Sequence, residues 1–269
     1  FLLNYSQDES SLTVLEKKWI NDNINKVVDI NIYNDIPVYS YNGNGIIFDY
    51  LDYFSEEYGV KFNKISSYEE KDLIDKELVF LSLNNDAKLD KNDILIYEDH
   101  YVVLKSNTND YINKENIDTL GVLKTDENII KKYFNNDNIV YTSYENVTDL
   151  INAYKNTEVN YLILPNVRYM DDILKNNLNI VYHINDLENK YVLRVKNNDA
   201  YNVLSKTYKE YEREEYQDDY SVNYLNVYFN NTSTTDLDRK NYNAKTYKYG
   251  YVINMPYENY NNKEFVGTI

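Results

Sequence analysis

Glu98-Asp99-His100 sets two carboxylates beside a histidine, a combination that could move a proton at a reacting atom. The apolar residues around it read as a strand over 94–104, and neighbours on a strand point to opposite faces. The three therefore cannot serve one centre, and His100 is expected to be structural or exposed. The other histidine is His183 and cysteine is absent, so thiolate catalysis, disulfides and Cys-ligated zinc are excluded and a His-rich metal site lacks donors. Nothing matches a glycine-rich phosphate loop, a nucleophile elbow or a zinc signature. No catalytic residue, metal or cofactor is expected, and the chain reads as a non-enzyme.

The elements that would position any site alternate between short apolar strands and amphipathic helices. Strands are expected at 27–33, 78–83, 94–104, 119–123, 139–141, 159–164, 180–183 and 191–195. Helices are expected at 46–58, stopped by Gly59, at 125–134, capped by Thr125, and at 145–154, 166–174 and 200–215. In the first of these Ile47, Leu51, Phe54 and Tyr58 recur at three- and four-residue steps. The class is α/β with mostly parallel sheets. A polar stretch at Lys105-Ser106-Asn107 separates two runs that each need a core, each expected to have a sheet of its own.

Lys and Arg number 28 against 44 Asp and Glu, and the net charge of −16 repels phosphate backbones and anionic lipid. Nucleic acid is not an expected partner. No apolar run approaches the roughly 20 residues of a membrane-spanning helix. The 32 tyrosines pack through the ring and keep a hydroxyl for a partner, so the core is expected to mix rings with Ile, Leu and Val. Phe1-Leu2-Leu3 and the polar residues after it read as the remnant of a removed membrane or targeting segment, with 1–19 as a lead-in.

One internal similarity spans most of the chain. Leu12-Thr13-Val14-Leu15-Glu16-Lys17-Lys18 precedes a strand, Pro37, a tyrosine-rich turn and Gly45. Thr234-Thr235-Asp236-Leu237-Asp238-Arg239-Lys240 precedes a segment at 249–253, Pro256, Tyr260 and Gly267. Pro256 lies 219 residues after Pro37, the size of a whole bilobal domain. A second copy is expected to begin there, with 231–269 as a linker and its truncated start.

These features resemble the type II periplasmic binding proteins, the family 3 "Venus flytrap" solute-binding modules, and look closest to the sensor copies of membrane histidine kinases and diguanylate cyclases. The resemblance rests on Leu12-Thr13 with Glu16 and Trp19, on 29–39 with its Pro-aromatic loop, and on Gly45 with Asp49-Tyr50-Leu51. It continues through 149–154, 159–163 and 191–195. It implies a bilobal α/β fold with two lobes joined by two hinge strands, lobe one from 20–103 plus 190–230 and lobe two from 104–189. It further implies an extracellular ligand-sensing domain of a bacterial membrane signalling protein, closing around a small molecule. The alternative is a transport receptor of an ABC system, secreted or lipid-anchored, and behind it an enzyme on the same scaffold.

In such a fold the ligand lies between lobes, met by loops at the carboxyl ends of strands and by helix N-termini. That placement selects Asn34, Asp35 and Tyr39, then Asn84, Asn85 and Lys88, then Tyr97 and Glu98, from lobe one. From lobe two it selects Thr125, Asp126, Glu127 and Asn166. Each has a competing local role: Asn34 and Asp35 as loop formers, Thr125 as a cap, Asp126 and Glu127 as helix-dipole partners, Tyr39 as an exposed ring. Amino-acid-binding relatives clamp a carboxylate with an Arg after the 78–83 strand; Ala87 and Lys88 stand there, and residues 1–110 contain no Arg. The acid that would meet an ammonium falls near Pro165 or Asn166, neither acidic. The expected ligand is small and uncharged or cationic, or the cleft closes without one. A second bilobal domain of the same chain and a homodimeric parent receptor are the partners in view.

Overall fold

The computed structural model describes residues 12–73, 75–108, 110–244, 259–261 and 264–266. Contacts divide the chain after Thr232 into two compact units.

The first unit opens with α1 (Val14–Asn23), whose start explains the sequence motif there. Thr13 N donates to Glu16 Oε2 at 2.6 Å and Glu16 N donates to Thr13 Oγ1 at 3.4 Å, a reciprocal capping box. Glu16 Oε2 also takes Lys206 Nζ at 2.8 Å, which ties the helix start to α6 (Asn198–Glu214). Thr13→Ala is expected to cost about 1 kcal/mol in unfolding free energy, measured by urea titration.

The strands are β1 (Val27–Tyr33), the two-residue β2 (Asp35–Ile36) and β3 (Ser40–Tyr41), β4 (Lys61–Ser67), β5 (Leu78–Leu83) and β6 (Asp93–Ser106). They continue as β7 (Thr119–Leu123), β8 (Val140–Tyr144), β9 (Tyr161–Pro165) and β10 (Leu178–Val195). Between them run α2 (Ile46–Tyr58), α3 (Glu127–Phe134), α4 (Val147–Lys155) and α5 (Met170–Lys175), and α7 (Tyr216–Asn231) follows α6. Eight strands form one sheet in the order β4-β1-β5-β10-β6-β9-β7-β8. β1 pairs in parallel with β4 and β5, and β7 with β8 and β9; the pairs around β6 and β10 are antiparallel.

The two separate sheets expected from the sequence are therefore one hydrogen-bonded ladder. β6 and β10 are long enough to belong to both halves, and what the sequence shows as two strands, 180–183 and 191–195, is a single strand of 18 residues. Their register shifts between Ile180 and Tyr182, between Ile184 and Glu188, and between Tyr191 and Val192, and such irregularities let a strand bend and twist. The apolar core nevertheless divides. One cluster gathers α2, α6, β1, β5 and the outer ends of the long strands, with Ile94, Ile96, Tyr191, Leu193 and Val195, and also takes in Val167 and Met170 from the segment after β9. Two more cover the faces of the other half, around Val103, Leu120, Ile130 and Ile184 and around Leu104, Leu150, Leu162 and Ile173. Along β6 the core changes between Tyr97 and Tyr101, and along β10 between Leu187 and Tyr191.

Rings fill much of the first core. Tyr39, Tyr50, Tyr191, Tyr208 and Tyr211 are almost wholly buried there, as is Tyr101 in the second cluster. All of these hydroxyls but that of Tyr208 find partners: Tyr50, for example, donates to Leu204 O at 2.9 Å and meets Thr207 Oγ1 at 2.9 Å. On α7, Tyr216, Tyr220, Tyr224 and Tyr228 stack at four-residue steps with centroids 5.9, 6.1 and 6.5 Å apart. That helix packs on α2 and α6 from one half and on α5 from the other.

Helix starts at α4 and α6 are displaced by two residues from the expectation, and those of α3 and α5 differ for a structural reason. α3 is entered through Asp126 rather than capped by Thr125, whose hydroxyl instead donates to Asp126 Oδ1 at 2.9 Å. α5 begins at Met170, four residues later than the apolar spacing indicates, because the backbone of 166–168 is drawn to β6.

In the second unit α8 spans Asp236–Ala244, and β11 (Asn259–Asn261) pairs antiparallel with β12 (Glu264–Val266) in a hairpin of its own. Thr235 N donates to Asp238 Oδ2 at 2.8 Å and Asp238 N donates to Thr235 Oγ1 at 3.2 Å, the same reciprocal arrangement as Thr13 with Glu16. The segment expected at 249–253 lies outside the described residues.

Candidate functional site

The carboxyl ends of β1 and β9 face each other across the division between the cores. After β1 the chain makes a tight loop with positive φ at Val38 (69°), Asn42 (53°), Gly43 (80°) and Gly45 (122°). Asn34 is the strut of this loop: its Oδ1 accepts from Gly43 N at 3.0 Å and its Nδ2 donates to Tyr68 Oη at 3.2 Å. The loop also closes the start of α2, because Ile46 N and Ile47 N donate to Val38 O and Tyr39 O, each at 3.0 Å. That helix end has its donors spent.

From the other side, β9 ends at Pro165 and Asn166 N donates to His100 O at 3.0 Å. The next two amides both donate to the Asp99 carboxylate, Val167 N to Oδ1 and Arg168 N to Oδ2, at 2.8 Å each. Tyr191 Oη donates to the same carboxylate at 2.5 Å. Asp99 is fully buried on the hinge strand, and burial pushes its carboxyl up to about 6 although all three donors favour the charged form.

Arg168, so held from behind, reaches across to β1 and β2. Its Nη2 donates to Asp35 Oδ2 at 2.6 Å and to Tyr33 Oη at 2.8 Å, and its Nη1 donates to Asp35 O. The guanidinium lies 5.3 Å from the Tyr33 ring centroid and 5.2 Å from that of Tyr169. Burial opposes its charge, but Tyr33 and Asp35 outweigh that and keep it protonated. A second crossing contact runs from Tyr41 Oη to Asp171 Oδ2 at 2.8 Å.

Of the residues selected from the sequence, Asp35 sits at this junction. Tyr39 is buried rather than exposed, stacked on Tyr97 at 4.8 Å with its hydroxyl 2.9 Å from Tyr216 Oη. Tyr97 and Asn166 line a cavity of about 430 Å³ between α5, the start of β10 and α7, with Tyr111, Tyr220 and Tyr224. Asp126 lies half-buried at the end of β7 with its carboxyl raised by burial. Glu127 is spent on Lys131 at 2.6 Å, Thr125 is exposed, and Asn85 Oδ1 accepts from Glu188 N at 3.1 Å. Asn84, Lys88 and Glu98 are exposed. The cation facing the acidic edge is thus Arg168 and not Lys88, a correction to the charge balance read from the sequence. Tyr33, Arg168 and Tyr169 were missed, and Asp99 was considered only as a proton-transfer group; the one available signal was that Arg168 is among only four arginines in the chain and lies three residues past the end of β9.

No family model and no curated protein matches the chain. Solved structures do. The BvgS periplasmic VFT2 domain of Bordetella pertussis aligns with a TM-score of 0.58 and 12% identity over 79% of this chain and 98% of that one. The BvgS periplasmic domain aligns with a TM-score of 0.55 and 12% identity over 87% of this chain and 48% of that one. AbpA, an amino acid ABC transporter substrate-binding protein of Streptococcus pneumoniae bound to L-arginine, aligns with a TM-score of 0.51 and 12% identity over 81% of this chain and all of that one. With two cores threaded by two long strands and a polar junction at the strand ends, the chain has the bilobal Venus flytrap fold of the type II periplasmic binding proteins.

Proposed function

We propose that the chain is an extracellular ligand-sensing domain of a bacterial membrane signalling protein, of the sensor-kinase or diguanylate-cyclase kind, whose lobes close around a small molecule. The observation that carries this is the pair of irregular strands, β6 and β10, joining two cores whose facing loops touch through side chains, Arg168 to Asp35 and Tyr41 to Asp171. Such contacts can be broken and remade as the two halves move about the long strands. α7, packed on both halves, is placed to feel the change. The lobes are assigned to 20–103 plus 190–230 and to 104–189.

The matched capping boxes at Thr13 and Thr235 support a second bilobal domain starting after Thr232, as does the alignment with about half of the BvgS periplasmic domain. A homodimeric parent receptor fits the same reading. The second reading, a transport receptor of an ABC system, is favoured by the likeness to AbpA. The gene beyond residue 269 separates them: a further bilobal domain, a membrane helix and a signalling domain belong to the first reading alone.

The ligand of this cleft is small and uncharged or cationic. The cation at this edge, Arg168, is already paired with Asp35, Asp126 lies nearby on a chain of net charge −16, and an anion buried there would have to displace that pair on top of its desolvation cost. In a thermal-shift and calorimetric screen of amino acids, dicarboxylates, sugars and amines, stabilisation is expected from a sugar or an amine. Micromolar binding of a dicarboxylate or an ordinary α-amino acid would overturn the assignment.

A further inference from the structure

We propose that Arg168 is a ligand built into the chain: its guanidinium fills, in cis, a cation site made by Tyr33, Asp35 and Tyr169, and holds the lobes together until a guanidinium- or amidinium-bearing molecule exchanges with it. The exchange rests on reading the cleft as a ligand site; the latch does not.

The site has the parts that recognise a planar cation. Asp35 offers two acceptors of different kinds, its carboxylate and its own carbonyl, to two different nitrogens of one guanidinium, and Tyr33 Oη accepts beside them. A forked, five-donor group matches that arrangement, and a point-charge ammonium does not. The rings of Tyr33 and Tyr169 lie within about 6 Å of the guanidinium carbon, the range in which a ring attracts a cation. The head group is also aimed. Asp99 accepts both the Val167 and Arg168 amides, and Tyr191 donates to the same carboxylate, so the backbone of Arg168 is fixed to hinge strand β6.

The Arg168 side chain is 18% exposed and that of Asp35 is 42% exposed. Solvent therefore reaches the acceptor side, which is the way in for a competitor. A tethered group competes at an effective concentration in the millimolar range or above. A bare guanidinium probe should then bind poorly to the natural chain and well once the tethered group is gone.

The test is Arg168→Ala in the full chain, followed by small-angle scattering and thermal unfolding with methylguanidinium as the probe and methylurea as its neutral counterpart. The variant is expected to expand and to melt lower. Millimolar methylguanidinium should restore compactness saturably, methylurea should not, and the natural chain should respond at least about tenfold more weakly. Adding Asp35→Asn to the variant should abolish the rescue. A variant that stays compact, or that responds alike to both probes, overturns the proposal. Should Arg168→Ala fail to fold by circular dichroism, Asp35→Asn alone decides: it leaves Arg168 in place and removes the paired charge, so expansion upholds the latch and an unchanged profile refutes it. None of these readings needs the physiological ligand, so an empty ligand screen leaves the latch standing.

Discussion

Asp99→Ala is expected to lower the unfolding free energy by on the order of 3 kcal/mol near neutral pH, and by more in acid. Three donors, Val167 N, Arg168 N and Tyr191 Oη, converge on this one buried carboxylate. Each donor left unsatisfied in the interior costs about 1–3 kcal/mol. Against that, removing the carboxylate relieves the desolvation that raises it from 3.8 to about 6. A group whose native value is raised contributes stability that is present below the unfolded value and lost as pH rises through the native one. At about 1.4 kcal/mol per unit, that loss reaches about 3 kcal/mol by neutral pH. The gap between natural chain and variant should therefore narrow as pH climbs from about 4 to 7. Urea titrations across that window measure it, and a gap that widens with pH would contradict the assignment of Asp99 as a buried, reluctantly ionised anchor.

The second large effect is expected at Gly45, and its neighbour supplies the comparison. A Cβ at Gly45 would lie 2.6 Å from Tyr39 C and O and 2.7 Å from Val38 O, at a φ of 122° that side chains rarely adopt. Those carbonyls accept the first amides of α2, so the backbone cannot give way without uncapping the helix and moving Tyr39 off Tyr97. Strained backbone of this kind costs about 1–3 kcal/mol and forced overpacking about as much again, so Gly45→Ala should lose on the order of 3–4 kcal/mol. Gly43 has φ 80° but nothing within 4 Å of its would-be Cβ, so Gly43→Ala should lose only about 1 kcal/mol. Equal losses in the two variants would show that the loop is more pliant than its packing implies.

Most of the framework could be read from the residues because burial imposes a period. β1 and α2 stand at their expected bounds, and Gly59 ends α2 in the left-handed conformation that glycine permits. β4 went unread because Lys-Phe-Asn-Lys-Ile-Ser-Ser lies at the sheet edge with no residue fully buried, so it carries no apolar signal. α7 went unread for a related reason: its contacts are spread between α2, α6 and α5 and bury only Val227 and Asn231. Alternation along β6 correctly separated Asp99 from its neighbours, leaving Glu98 exposed and Asp99 inside. It could not reveal that the inward carboxylate would be met by amides from residues 167 and 168, since that pairing is set by tertiary structure. The Asp35 to Arg168 contact was hidden in the same way, its partners lying 133 positions apart.

The long strands carry a thermodynamic consequence. β6 and β10 lend apolar residues to the first core at one end and to the other two at the opposite end. Melting either half strips hydrogen bonds and packing from strands the other half still needs, so the halves cannot be lost in turn. Residues 12–232 should behave as one cooperative unit, with coincident transitions by different probes. Amide exchange should be slowest at the centre of β6 and β10, where opening requires both halves to come apart at once.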